Sequence, residues 1–150
     1  MAVNRDFRDL FAELNGSGAD YLLVGGYAVS FHAEPRFTKD LDIWIDANAE
    51  NAIRVLQALR AFGAPVHDLS PEDLSQPGLI FQIGIAPNRI DVMTSIDGVT
   101  FREAWAGHVE TLYGDQEIQV IGREHLIRNK RASARPQDLI DVALLEGSAR

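Results

Sequence analysis

Two aspartates, Asp40 and Asp42, stand two residues apart in an otherwise apolar run, Asp40-Leu41-Asp42-Ile43-Trp44-Ile45. Side chains two apart on a strand point to the same face, which sets the carboxylates side by side and turns Leu41, Ile43 and Ile45 toward a core. Such a pair repels itself and loses hydration, and a cation between the carboxylates removes both costs. The chemistry indicated is the holding of a hard divalent ion, which takes carboxylate oxygens. The pair alone does not decide this. With 22 acidic residues in 150, about three acid-x-acid pairs arise by chance, and the chain holds two. The other, Asp115 and Glu117, reads as a solvated hairpin end. What sets Asp40 and Asp42 apart is the apolar strand around them.

Two further features could act with that pair. Upstream, Tyr21-Leu22-Leu23-Val24 runs into Gly25-Gly26. A glycine corner between strand and helix lets an anion approach the backbone and meet free N–H groups at the helix start. For a lone Gly-Gly, a tight turn with no ligand is the better reading. No Gly-Lys-Ser/Thr follows it and G-x-G-x-x-G is absent, which excludes a P-loop and a dinucleotide fingerprint. Downstream, Arg89, Asp91 and Met93 share one face of a strand whose other face carries Ile90 and Val92. That places a third aspartate in an apolar setting.

The elements that must position these groups follow from periodicity and capping. A helix is expected over about Arg5 to Asn15, capped by Asn4 and ended by Gly16. The strand 21–24 leads through the glycines to a short helix over 27–33, stopped at Glu34-Pro35. A strand over 40–45 and a helix over 49–62 come next, the latter with Ala52, Ile53, Val55, Leu56 and Leu59 on its apolar face and Gly63 at its end. Ser70-Pro71 opens a single helical turn. Strands over 79–85 and 89–94 join through Ala86-Pro87-Asn88. Thr100 and Glu103 form a capping box for a helix through Trp105. Strands over 109–113 and 117–121 make a hairpin across Gly114-Asp115, and helices over 123–134 and from Pro136 to Gly147 close the chain. The order is mixed, without the regular alternation of a doubly wound sheet.

Composition sets the outer limits. At 150 residues with 46% hydrophobic and 24% charged residues, the chain reads as one globular domain, 1–150. No run reaches the ~20 apolar residues of a membrane span, and the start lacks a signal-peptide core, so a cytoplasmic protein with no membrane partner is expected. With no cysteine there is no disulfide or thiolate zinc site. The net charge of −8 argues against unaided capture of nucleic acid.

Taken together, Val24-Gly25-Gly26, then Asp40-Leu41-Asp42-Ile43, then Asp91 within Arg89-Ile90-Asp91-Val92 resemble the nucleotidyltransferase superfamily of the DNA polymerase β type, in particular its small single-domain bacterial members. The closing segment, NKRASARPQDLIDVALLE, is similar to their C-terminal helices, a less specific match. The resemblance implies an α/β fold of the α+β type, with a central mixed β-sheet flanked by helices. It implies that Asp40, Asp42 and Asp91 are catalytic and metal-binding. Asp40 and Asp42 would hold two Mg²⁺ ions, and Asp91 would complete the site as a ligand or as the group receiving the attacking hydroxyl's proton. It places an NTP, ATP among the candidates, against Gly25 and Gly26. Many relatives carry Ser where this chain has Gly26, so that hydroxyl must come from elsewhere.

A triphosphate needs cations beyond the metals. Arg36 and Lys39, before Asp40, and Lys130 and Arg135, at the junction of the last helices, are the candidates; Lys39, Lys130 and Arg135 are assigned here to nucleotide binding, against the alternative of solvated surface charge. Asp138 and Asp141 share a helix face and are expected to pair with Arg or Lys. His32 reads as a packed or surface histidine. Trp44 falls on the face of Asp42 and is expected to shield the sheet. The activity implied is transfer of a nucleoside monophosphate to a hydroxyl of an RNA end such as tRNA, a protein or a small molecule. The resemblance extends to toxin–antitoxin pairs, and a partner protein or homodimer would supply what a short chain lacks for holding an acceptor. The alternative is a non-catalytic module of the same fold that binds nucleotide or neutralises a partner.

Overall fold

The computed structural model describes residues 3–38, 40–85 and 87–147. The chain runs α1 (Arg5–Ser17), β1 (Tyr21–Val24), α2 (Gly25–His32), β2 (Leu41–Ile45), α3 (Ala49–Phe62), α4 (Pro71–Leu74), β3 (Ile80–Ile83), β4 (Ile90–Met93), α5 (Phe101–Ala106), β5 (Val109–Tyr113), β6 (Gln116–Val120), α6 (Arg123–Ser133) and α7 (Pro136–Glu146). The strands form one mixed sheet in the order β3-β4-β2-β1-β6-β5. Within it β2 runs parallel to β4 and antiparallel to β1, and β1 is parallel to β6.

Alternation along β1 and β2 assigns the two faces. Tyr21 and Leu23 lie opposite Ile45 and Ile43, and Leu22 and Val24 lie opposite Trp44 and Asp42. The first face is covered by α1, whose Phe11 ring lies 5.9 Å from Tyr21; α3 packs on α1 and buries Val55, Leu56 and Leu59. On the second face Trp44 is buried against Phe101 of α5, ring to ring at 5.1 Å. Trp44 therefore shields the sheet, as expected.

Most expected elements form, and the differences lie at their ends. Gly16 continues α1, and the helix closes at Gly18, whose φ of 72° is the left-handed turn that glycine tolerates. Helix α2 starts two residues early, so the corner is made by Gly25 alone. Strand β2 starts at Leu41, leaving Asp40 on the bend before it. Strand β3 is shorter than 79–85. Ile53 is half exposed at 51%, and Ala58 takes its place in the buried face. The capping boxes at Ser70 and Thr100 are both formed.

Buried Asn51 ties the entry to β1 to the exit from β2, at the end of these strands opposite Val24 and Asp42. Its Oδ1 accepts from Asp20 N at 2.7 Å, and its Nδ2 donates to Asp20 O and Asp46 O at 2.9 Å each. Replacing Asn51→Ala removes the acceptor of the Asp20 N–H, while Asp20 O keeps the Asp46 N–H at 3.3 Å and Asp46 O the Asn48 N–H at 3.0 Å. Losing these three side-chain bonds should destabilise the fold by about 1–3 kcal/mol. Urea unfolding of the two proteins measures this. A loss under about 0.5 kcal/mol would mean that solvent satisfies those groups.

Candidate active site

The parallel pairing of β2 and β4 puts Asp42 directly opposite Asp91, while the antiparallel pairing of β1 and β2 puts Asp42 opposite Val24, the residue before the glycine corner. Three separate stretches of sequence thus meet at one end of the sheet. The corner is close-fitting. Gly25 has a φ of 68°, and a Cβ there would lie 2.1 Å from Asp42 Oδ2, so the position needs glycine for both backbone and space. At Gly26 a Cβ would meet Thr38 Oγ1 at 2.2 Å and Arg36 Nη2 at 2.9 Å. A serine at 26 would require Thr38 and Arg36 to shift, since the Thr38 hydroxyl already stands there. No side chain caps the first turn of α2, which leaves N–H groups facing the site.

These residues open onto a cavity of about 410 Å³. Gly25, Asp42, Asp91, Lys130 and Arg135 line its charged part, and Ser95, Ile96, Asn129 and Ser133 its more neutral part, beside the further carboxylate of Asp97. In the latter, Asn129 Nδ2 donates to Asp97 O at 2.9 Å and Ser133 Oγ to Asp97 Oδ2 at 3.1 Å. These five carried no sequence signal for a site, Asp97 reading only as part of an Asp97-Gly98 turn and the others as ordinary polar and aliphatic residues scattered over a loop and α6. A somewhat larger cavity of about 470 Å³ lies across the sheet, where Leu23 and Leu41 line it with Tyr27, Phe31 and Tyr113. It holds no carboxylate and is not the site.

The cations are held in place by the last two helices. Lys130 is buried, its Nζ 3.2 Å from Asp138 Oδ1 and 3.1 Å from Asp141 Oδ2. Asp141, fully buried, also receives Arg36, Nε to Oδ1 at 3.0 Å, and Gln137. Asp138 accepts from Arg135 Nε at 2.8 Å and from the Arg135 backbone N–H at 3.2 Å. Burial acts to raise the Asp138 carboxyl, but hydrogen bonds from Arg135 and Lys130 prevail and hold it below the usual range. The expectation that Asp138 and Asp141 pair with basic side chains is met. Asp115 is exposed and paired with Arg8, and His32 is packed, with Nε2 2.6 Å from Ile121 O. Lys39 lies outside the described residues.

The carboxylates themselves remain short of positive charge. Burial, then Asp91 and Asp40, push the Asp42 carboxyl up to about 7, against the smaller opposing effects of Lys130 and Arg89. Arg89 takes both oxygens of Asp91, Nε to Oδ1 and Nη2 to Oδ2 at 3.1 Å each, and its Nε is 3.9 Å from Asp40 Oδ2. The donor set suits a hard divalent cation in kind, being all carboxylate. Among the described residues, however, no three acidic or histidine side chains are already drawn together to hold a metal ion.

The fold and this site define a nucleotidyltransferase domain, and comparison with known proteins agrees. Residues 8–148 match the family described as nucleotidyl transferase AbiEii toxin, type IV toxin–antitoxin system; the chain belongs to that family. No curated protein matches it significantly in sequence. Among solved structures it is similar to the lincosamide antibiotic adenylyltransferase LnuA with lincomycin bound, at a TM-score of 0.62 and 18% identity, covering 98% of this chain and 99% of that one. It is also similar to ANT(2")-Ia in complex with adenylyl-2"-tobramycin, at 0.61 and 14%, covering 93% and 84%. At such identities these two establish the shared fold. Among the described residues no helix is long and apolar enough to cross a membrane.

The raised Asp42 carboxyl carries a pH signature. Its value lies above the ordinary 3.8 of an unfolded chain, so folding favours its protonated form. That contribution is complete below pH ~4 and lost as pH rises through ~7. Chelator-treated protein should therefore lose stability as pH rises from about 4 to about 7, with this loss levelling off above pH ~8, and Asp42→Asn should flatten that fall. Thermal melts across this range check it, and parallel curves for the two proteins would contradict the electrostatic reading.

Proposed function

We propose that the protein transfers a nucleoside monophosphate from an NTP to a hydroxyl acceptor, with Asp40, Asp42 and Asp91 as the catalytic carboxylates. The observation that carries this is the register pairing of Asp42 with Asp91 beside the Gly25 corner, at a cavity into which Lys130 also projects its charge. Two divalent cations, Mg²⁺ in the cell, would be held by the three aspartates and would neutralise the attacking and leaving oxygens.

The chain's own groups account for the rest. Gly25 and Gly26 let the triphosphate reach the uncapped N–H groups of α2. Thr38 offers beside Gly26 the hydroxyl that many relatives are implied to carry at that position. Lys130 and Arg135 balance the phosphate charge, a role the sequence also assigns to Lys39. Lys130 does so from a fixed position, since Asp138 and Asp141 hold its ammonium. The acceptor hydroxyl passes its proton to a carboxylate, with Asp91 the assigned group, as its oxygen bonds to the α-phosphorus. The bond from that phosphorus to the bridging oxygen breaks, and pyrophosphate leaves.

Membership of a toxin–antitoxin family supports a partner protein for this enzyme, and in this reading the chain works in the cytoplasm as one domain. The net charge of −8 favours a protein or small-molecule acceptor over RNA, whose phosphates it would repel. Incubation with Mg²⁺ and each α-³²P-labelled NTP in host extract, followed by separation of RNA, protein and small molecules, tests both points. Label should enter one fraction and fall at least about 100-fold with Asp42→Asn or Asp91→Asn. Nucleotide binding without labelling of any fraction would support a non-catalytic module instead.

A further inference from the structure

Arg89 is the one cation of the described site whose contacts compete with the proposed chemistry. Lys130 and Arg135 are bound by Asp138 and Asp141 on α7, away from the carboxylate triad. Arg89 is bound by the triad itself. Its guanidinium occupies both oxygens of Asp91 and lies 3.9 Å from Asp40. A divalent ion must approach a carboxylate oxygen to about 2.1 Å, a place that Arg89 N–H groups now fill. Its backbone is fixed, because its carbonyl accepts from Leu41 N at 3.0 Å. Its side chain remains 36% exposed, so it can leave without disturbing the sheet.

We propose that Arg89 is a built-in counter-ion that occupies the metal-binding face of Asp91 and Asp40 and must be displaced before a divalent metal can bind. The inference rests on the metal reading given above and adds an order to it. Metal alone has to compete with the guanidinium and binds weakly. Metal arriving with a triphosphate brings the phosphate oxygens that take over the released Arg89, since guanidinium pairs with phosphate as readily as with carboxylate. The same contact explains why three suitable carboxylates stand at one sheet end without being drawn into a ligand set. The nucleotide-free enzyme is thereby kept neutralised and largely free of metal.

The test is Mn²⁺ binding to nucleotide-free protein, read from the electron paramagnetic resonance signal of free Mn²⁺, with folding checked by circular dichroism. Arg89→Gln should bind Mn²⁺ at least about 10-fold more tightly than wild type, and Arg89→Lys, which keeps the charge but loses the two-point contact, should fall between them. Arg135→Gln removes a cavity charge that does not touch the triad and should change affinity much less. Equal or weaker binding by folded Arg89→Gln, or an equal gain in Arg135→Gln, would overturn the proposal. If Arg89→Gln does not fold, Arg89→Lys decides alone: tighter binding than wild type supports displacement, and no gain overturns it. Asp42→Asn separates the two layers of argument. If it abolishes Mn²⁺ binding while the Arg89 variants match wild type, the metal site stands and the counter-ion role falls; if it binds as wild type does, the metal reading and the proposal fall together.

Discussion

Negative charge concentrated at one end of a mostly apolar sheet is the constraint to which the surrounding structure answers. Strand pairing fixes Asp42 opposite Asp91, and the sheet cannot separate them without losing register. Burial and the neighbouring carboxylates raise Asp42. The site is therefore built to receive positive charge, first from Arg89 and in the proposed reaction from divalent metal.

The two closing helices extend the same logic one layer outward. A lysine as buried as Lys130 would be costly alone. Asp138 and Asp141 make it tolerable, and Asp141 also fixes Arg36. Arg36 in turn packs with Thr38 against Gly26. The C-terminal helices and the glycine corner, far apart in sequence, are thus tied into one charged frame around the proposed nucleotide site. A fixed ammonium needs no reorganisation when phosphate charge arrives, which is the condition for effective electrostatic stabilisation.

Much of this was legible in the sequence because its signals are local. The glycine pair, the apolar strand carrying Asp42 and the Thr100–Glu103 capping box each have a pattern within a few residues, although Asp40, expected on that strand, stands just before it. The pairing of Asp138 and Asp141 with basic partners followed from helical spacing. Helix ends were less legible: Gly16 and Gly18 are both candidates for closing α1, and only the backbone conformation distinguishes them. The role of Thr38 at Gly26 could not be read, since it depends on how the bend folds back over α2. The grip of Arg89 on Asp91 was equally hidden; sharing a strand face did not say that the guanidinium would take both oxygens. The neutral end of the cavity, from Ser95 to Ser133, is assembled by tertiary structure alone.

The central claim, that one metal-dependent nucleotide site is built from the three aspartates and the glycine corner, is tested most directly by locating the ligands. Crystals grown with Mn²⁺ and an NTP analogue that cannot be cleaved between the α and β phosphates would place the metal by its anomalous scattering. The account predicts Mn²⁺ ligated by Asp42 with Asp40 and Asp91, the triphosphate against Gly25 and Gly26, and Arg89 moved from Asp91 to phosphate. Manganese bound elsewhere, or a nucleotide seated away from the glycine corner, would contradict it.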